Sequence, residues 1–123
     1  MDKTNSADKK FQKELNSGTA ALVLLAVLSK ATEPMYGYQI AKLLEGGSED
    51  VPMIKQGALY PVLRSLESSG LLESLVEPSI AGPPRRYYTI TDIGRQTLRR
   101  WTEIWDQTKH FVHAVLEGDP SAQ

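Results

Sequence analysis

Residues 57–72 constrain the fold more than any other part of the chain, because their helical apolar pattern stops at a glycine and continues as an apolar run. Four apolar side chains recur at helical spacing and would share one buried face: Leu59, Val62, Leu63 and Leu66. Gly70 is a residue type that commonly ends a helix, and leucines follow it directly. The segment therefore predicts a short amphipathic helix that leads into a strand.

The opposite face of this helix carries hydrogen-bonding groups. Gln56, Tyr60 and Arg64 are spaced four residues apart, so they form a polar stripe on the outer side. Pro61 has no backbone N–H, and we expect it in the first turn, where that donor would have no helical partner. The helix is therefore predicted to begin close to Gln56 or Gly57.

A β-hairpin is predicted next. Residues 71–77 have partial strand character, and residues 86–90 are rich in good strand formers. The intervening residues 78–84 are too many for a tight turn and predict a protruding loop, with Arg85 and Arg86 opening the return strand. A helix with a polar outer stripe followed by an arginine-tipped hairpin is the layout of a winged helix-turn-helix. The predicted fold is therefore mainly α with a small β-hairpin, and its expected ligand is DNA.

The sequence pattern of the N-terminal third of the chain predicts further helices. Residues 1–7 are expected to be disordered, whereas Phe11 and Leu15 suit a lysine-rich amphipathic helix. Ser17 or Thr19 is expected to cap a central buried helix over residues 20–28. Pro34 suits the first turn of the next helix, which is expected to end at residues 46–47. Its predicted inner face comprises Tyr36, Ile40, Leu43 and Leu44.

The last predicted helix is unusually long for a small domain. Thr91 or Asp92 is expected to cap it, and it runs to about Glu117. Its apolar face would stay exposed in a monomer, so we expect a homodimer with these residues in the contact: Trp101, Ile104, Thr108, Phe111 and Val115. The predicted divisions are a polar arm or helix extension (1–16), the winged helix-turn-helix (17–91), the dimerisation helix (92–117) and a tail (118–123).

Composition narrows the class of protein. The 123 residues include no cysteine, which suits a reducing compartment, and the longest apolar run, residues 20–28, is far shorter than the roughly 20 residues that span a bilayer. The polar N-terminus lacks the pattern of a signal peptide, so a cytoplasmic location without membrane contact is expected. No phosphate-binding loop or nucleophile motif is present, so neither an enzyme nor a cofactor is expected, and the histidines at 110 and 113 are expected to be surface residues rather than metal ligands.

Charge is distributed unevenly along the C-terminal half. The net charge is −1, but residues 85–100 contain five arginines and one acid, and the sign reverses over residues 101–119. This asymmetry fits a basic edge for nucleic acid, and composition alone fits a solvated helix with uneven charge equally well.

Four segments together resemble the PadR family of bacterial transcriptional regulators. They are GALYPVL with the following Leu66, Glu67, Gly70 and Leu71, MYGYQI at residues 35–40, GPPRRYY at residues 82–88 and ITDIG at residues 90–94. The resemblance extends over about residues 18–117, and the single helix after the wing is similar to the smaller class of these proteins. Ala58 stands where the family usually has Thr or Ser, and Tyr36 stands where His is common.

The resemblance implies a homodimeric winged-helix repressor with a pseudo-palindromic operator. Its two recognition helices would lie about one DNA turn, roughly 34–36 Å, apart, with each wing on phosphate or in a minor groove. The predicted DNA contacts are Lys55, Gln56, Ala58, Tyr60, Arg64, Arg85, Arg86 and Tyr88. Similarity to members that bind flat aromatic compounds implies a small aromatic effector at Trp101 and Trp105. The alternative is a winged helix that contacts only other proteins.

Overall fold

Four helices and a three-stranded antiparallel sheet make up the described part of the chain, residues 3–44 and 56–118 of a computed structural model. In chain order the elements are α1 (Lys3–Lys30), β1 (Met35–Tyr36), α2 (Gly37–Leu44), α3 (Gln56–Ser68), β2 (Leu72–Ser79), β3 (Gly82–Ile90) and α4 (Asp92–Leu116). This architecture confirms the predicted mainly helical fold with a small hairpin. None of the described helices is both long enough and apolar enough to cross a bilayer.

The core lies where the C-terminal half of α1 meets α2, α3 and the base of the hairpin. Leu24 and Leu25 of α1 are fully buried, and they pack with Ile40 of α2 and with Leu59 and Leu63 of α3. The apolar side of α3 that the sequence predicts therefore packs against the core. Burying a leucine or isoleucine contributes about 1.5–3 kcal/mol, so these side chains hold the three helices together.

The helix α1 is longer and more continuous than predicted. It begins at Lys3, so residues 3–7 are helical rather than disordered. The predicted cap at Ser17 or Thr19 is also wrong, because the helix passes through both residues without a break. The Thr19 hydroxyl donates a hydrogen bond to the carbonyl of Leu15, at 3.0 Å, as threonines within helices commonly do.

The second helix begins at Gly37 rather than in the turn that contains Pro34. The residues before it form β1, in which Met35 pairs with Tyr88 and Tyr36 pairs with Tyr87 of β3. Leu43 was predicted on the inner face but is 58% exposed. The predicted end of this helix at residues 46–47 lies outside the described residues.

The helix α3 contains Pro61 in its interior rather than in its first turn, since the helix is already formed at Gln56. The missing N–H of Pro61 leaves the carbonyl of Gly57 without its helical partner. At the other end Gly70 adopts φ +79°, and Leu71 N–H donates to the Leu66 carbonyl at 3.0 Å. This pair of features is the Schellman arrangement, and it confirms the predicted stop at Gly70.

The wing is a tight hairpin rather than two strands joined by a long loop. Ser79 pairs with Gly82, so only residues 80–81 form the turn. The register shifts between Glu77 and Ser79, which accommodates Pro78. On β3, Pro83 and the following proline lie beyond the end of the short strand β1. That edge of β3 has no partner strand in the described structure, so prolines are tolerated there.

The junction between α3, the wing and α4 is closely packed. Thr91 caps α4 as predicted, because its hydroxyl oxygen accepts a hydrogen bond from Gly94 N–H at 2.9 Å. The same hydroxyl donates to the carbonyl of Gly70 at 2.7 Å. A Cβ on Gly94 would collide with the carbonyl of Leu71 and the side chain of Ile90. Only glycine therefore allows α4 to approach the start of the wing this closely.

Candidate nucleic-acid interface

An open cleft of about 760 Å³ lies between α3, the wing and the start of α2. Aromatic and cationic side chains from all three elements line it: Tyr36, Tyr38, Tyr60, Arg64, Arg85 and Arg86. Two residues of the polar stripe predicted on α3, Tyr60 and Arg64, therefore face the same space as the arginines predicted on the wing. Arginine and tyrosine are residue types that bind phosphate and sugar groups of nucleic acid.

Tyr60 is tied to the start of α2. A Cβ added to Gly37 would lie 2.6 Å from the ring of Tyr60, so that ring packs directly on the Gly37 backbone. The outer part of the side chain is still exposed and lines the cleft. Gly37 therefore fixes the direction in which Tyr60 projects from α3.

The remaining predicted contacts on α3 have different surroundings. Arg64 is exposed and lines the cleft, and Ala58 is exposed near the start of the helix. Gln56 is the first residue of α3, and Lys55 lies outside the described residues. The cleft thus brings together Tyr60 and Arg64, with Ala58 on the neighbouring turn.

Arg86 belongs to a hydrogen-bonded chain that connects the wing to α3. Its Nη1 donates to the hydroxyl of Ser74 at 2.9 Å, and that hydroxyl donates to Oε2 of Glu67 at 2.6 Å. The register pairs Ser74 with Tyr88, and Arg86 is two residues before Tyr88 on that strand. These hydrogen bonds fix the orientation of Arg86 and place the carboxylate of Glu67 near its positive charge.

Arg85 is oriented by an aromatic ring instead. Its guanidinium carbon lies 4.5 Å from the centre of the Tyr36 ring, within the range of a cation–π contact. The ring of Tyr36 meets Tyr87 edge-on at 5.4 Å and stacks with Tyr38 at 6.5 Å. The two neighbouring arginines of the wing are therefore held by two different kinds of partner.

Tyr88 also lines the cleft but is almost wholly buried there, and its predicted contact with DNA stays a prediction. The residue is only 4% exposed and belongs to the core cluster. Burial raises the pKa of its phenol above the ordinary value of 10.0, with the nearby charge of Arg86 acting in the opposite direction. Alternation along β3 places Tyr88 on the core side of the hairpin and Tyr87 on the other side.

Only two of the five arginines in residues 85–100 line the cleft. Arg95 of α4 donates to the carbonyl of Ser29 at 3.2 Å, and Arg100 donates to the hydroxyl of Thr97 at 3.0 Å. Arg99 is exposed on the same helix and does not line the cleft. The basic surface that the sequence suggested is therefore narrower than expected, although Arg64 of α3 adds to it.

A second exposed surface runs along α4. Three residues predicted for the dimer contact, Ile104, Phe111 and Val115, are 57%, 50% and 54% exposed. Thr108 and Trp105 are exposed along the same helix, whereas Trp101 is half-buried against the core. Further exposed apolar side chains on these two helices are Phe11 and Leu15 of α1 and Ile93, Val112 and Leu116 of α4.

The site also contains residues that sequence reasoning missed. Tyr36 was predicted on the inner face of the second helix and Tyr38 was given no role, yet both line the cleft. Ser74 and Glu67 were given no role at the site either, although Ser74 accepts a hydrogen bond from Arg86 and donates one to Glu67. The signal in the sequence was the pair of tyrosines at positions 36 and 38, on either side of a glycine. Tyrosine rings commonly form cation–π contacts with arginine, so these two residues were candidates for contact with the wing arginines.

Comparison with known proteins connects this geometry to a family. Residues 24–100 match the family described as "Transcriptional regulator PadR-like family". A relative from Lysinibacillus sphaericus, called uncharacterized protein X, is 28% identical over 98 residues, which is 80% of this chain and 87% of that protein.

Solved structures agree with this match. A PadR family transcriptional regulator from Eggerthella lenta is 34% identical, with a TM-score of 0.78 over 93% of this chain and 96% of that chain. A PadR-like transcriptional regulator from Bacillus cereus is 27% identical, with a TM-score of 0.67 over 84% and 96% of the two chains. A PadR family regulator from Clostridium difficile is 28% identical, with a TM-score of 0.65 over 80% and 98%. The chain therefore belongs to the PadR-like family of DNA-binding transcriptional regulators.

Proposed function

We propose that this regulator is a ligand-responsive repressor that binds a pseudo-palindromic operator as a homodimer. The observation that carries the proposal is the cleft, in which Tyr60 and Arg64 of α3 face Arg85 and Arg86 of the wing. A DNA strand in this cleft would meet α3 on one side and the wing on the other. This arrangement matches a recognition helix in the major groove with a wing on the adjacent backbone.

Within this proposal the residues divide into two roles. Arg85 and Arg86 contact phosphates, because they lie on the wing and carry charge without offering a helical face to the base edges. Gln56 and Arg64 contact bases, with Lys55, Ala58 and Tyr60 at the same groove. Glutamine pairs well with adenine and arginine with guanine in the major groove, and each such contact is worth roughly 1–3 kcal/mol.

The homodimer is proposed from the apolar surface of α4. Ile104, Phe111 and Val115 are about half exposed along this helix, and the exposed Phe11 and Leu15 of α1 add apolar surface of the same kind. A monomer rarely leaves this much apolar area in contact with water. Pairing two copies along α4 buries the surface and presents two recognition helices related by a two-fold axis.

The effector is proposed to bind at the same pairing. Trp105 is partly exposed on α4 and Trp101 is half-buried one turn earlier. Indole rings offer flat apolar faces and one N–H donor, which suits a phenolic or planar cationic aromatic compound. A compound that favours one arrangement of the paired helices would change the spacing of the recognition helices and so the affinity for DNA.

The test is selection of duplexes from a random pool by the purified full-length protein, followed by sequencing. We expect a two-fold symmetric consensus whose half-sites are centred about one helical turn apart. Replacing Arg64 or Gln56 by Ala should change the preferred bases, whereas Gln107→Ala on the exposed part of α4 should leave the consensus unchanged. Failure to enrich any sequence, together with no binding to random duplex at low salt, would reject the DNA-binding role and favour a protein-interaction module.

A further inference from the structure

Tyr36 lines the cleft and contacts Arg85, but it is not among the proposed DNA contacts. It belongs to a strand of only two residues, which lies between the connection from α1 and the start of α2. We propose that Tyr36 is a positioning residue that holds the guanidinium of Arg85 at the mouth of the cleft, ready to bind a DNA phosphate. The proposal rests on the proposed binding of DNA in this cleft.

The first step is that Tyr36 is itself held firmly. Its backbone pairs with Tyr87 of β3, and its N–H donates to Oε1 of Gln39 at 3.0 Å. The ring is packed edge-on against Tyr87 and is stacked with Tyr38, with an angle of 19° between the two planes. A ring fixed by its own backbone and by two neighbouring rings is a suitable support for a long, flexible side chain.

The second step is that no carboxylate in the described part of the chain competes with Tyr36 for Arg85. Glu77 is opposite Arg85 in the register of the hairpin, yet Arg85 makes no ion pair within residues 3–44 and 56–118. Its contact is the ring of Tyr36, 4.5 Å from the guanidinium carbon. The positive charge is therefore oriented without being neutralised by a carboxylate of the described residues.

The third step is that stacking leaves the guanidinium able to bind phosphate. The five N–H donors of arginine lie in the plane of the group, whereas the aromatic ring contacts its flat face. Both contacts can therefore be made at once. Holding the side chain before DNA arrives also reduces the conformational entropy that binding would otherwise cost.

The fourth step separates Tyr36 from the anchor of the other wing arginine. Arg86 is held by Ser74, whose hydroxyl is bonded to Glu67 of α3. Tyr36 lies next to α2, and the wing arginine that it contacts is Arg85. A change at Tyr36 should therefore act on DNA binding through Arg85 and should be independent of Arg86.

The experiment is a double-mutant cycle with the intact protein and a labelled duplex that the unchanged protein has enriched from a random pool. Tyr36→Leu should weaken binding about two- to fivefold for each wing on the DNA, which is the usual range for a cation–π contact at an exposed site. Tyr36→Phe, which keeps the ring, should bind like the unchanged protein. In an Arg85→Gln background Tyr36→Leu should have no further effect, whereas in an Arg86→Gln background it should keep its full effect.

Folding is controlled by thermal unfolding of every variant, measured by circular dichroism. If Tyr36→Leu does not fold, a polyfluorinated phenylalanine at position 36 keeps the shape of the ring and removes its electron-rich face, and it should weaken binding by the same factor. Additive effects of Tyr36→Leu and Arg85→Gln, or a loss in Tyr36→Phe as large as in Tyr36→Leu, would overturn the proposal. Absence of any duplex binding by the unchanged protein would instead reject the proposed function itself.

Discussion

The cleft and the exposed face of α4 are both open to solvent, but their side chains are held in different ways. In the cleft, Tyr60 packs on Gly37, Arg85 on Tyr36, and Arg86 donates to Ser74, so these three side chains have a partner within the same chain. On α4, apolar side chains such as Phe111 stay about half exposed. A polar site can be preorganised by one subunit, whereas an apolar face gains stability only when a second surface covers it. We therefore propose that each chain preorganises its own DNA-contacting surface. Pairing of two chains then sets the distance between the two surfaces.

The largest expected effect concerns the apolar face. Replacing Ile104 and Phe111 together by Asp should weaken self-association by about 6 kcal/mol or more, because each apolar side chain buried in a dimer contributes about 1.5–3 kcal/mol and an aspartate there costs more. The variant is expected to be a monomer that is poorly soluble or unfolded. Analytical ultracentrifugation measures the association, and Gln107→Asp on the same helix serves as the control. A well-folded monomer of the unchanged protein, or an undiminished dimer of the variant, would contradict the account.

The next effect concerns the junction that positions the wing. Gly94→Ala should lower the free energy of unfolding by about 3 kcal/mol, because its Cβ would collide with the carbonyl of Leu71 and the side chain of Ile90. Gly18→Ala is the matched control, since a Cβ at that position of α1 meets nothing within 4 Å. The control should raise stability by up to about 1 kcal/mol through helix propensity. Urea denaturation at one fixed protein concentration compares them, and equal stability of the two variants would reject the close approach.

The smallest expected effect concerns the effector. Phenolic or planar cationic aromatics should quench tryptophan emission at micromolar to millimolar concentrations and weaken DNA binding over the same range. Trp105→Ala should lose the response and still bind DNA. The response is measured by titration with emission and DNA binding followed together. An undiminished response in Trp105→Ala, or unchanged emission across a broad library, would leave both tryptophans with a packing role alone.

The parts of the fold that the sequence predicts are those governed by local periodicity and capping. The buried face of α3 is visible from the spacing of residues such as Leu59 and Leu63, and both residues are buried as expected. Thr91 has the chemistry of a helix cap, and Gly70 has the backbone freedom of a helix stop. These signals act within a few residues, so no knowledge of the tertiary structure is needed to interpret them.

The parts that could not be predicted depend on pairing between distant segments. The strand β1 contains two residues and exists only because β3, some fifty residues later, pairs with it. The same pairing places Tyr36 beside Arg85. Adjacent tyrosines at positions 87 and 88 give no indication of which one faces the core, because a shift of one residue in register exchanges the two faces. Residues 78–84 were predicted to form a loop because the strands were expected to end before them. The pairing of Ser79 with Gly82 and the bulge that accommodates Pro78 are set by the register of the hairpin, which the local sequence does not show.

The salt dependence of DNA binding tests the central claim most directly, because it counts the phosphates that the wing neutralises. Replacing Arg85 and Arg86 together by Gln should lower the slope of log affinity against log salt concentration by about two for each wing, at roughly 0.9 for each phosphate contact. The variant should lose affinity for all sequences alike. Arg99→Gln with Arg100→Gln removes the same charge from α4 and should leave the slope unchanged. Equal affinity and an equal slope for the wing variant and the unchanged protein would contradict the assignment of the cleft as the DNA-binding surface.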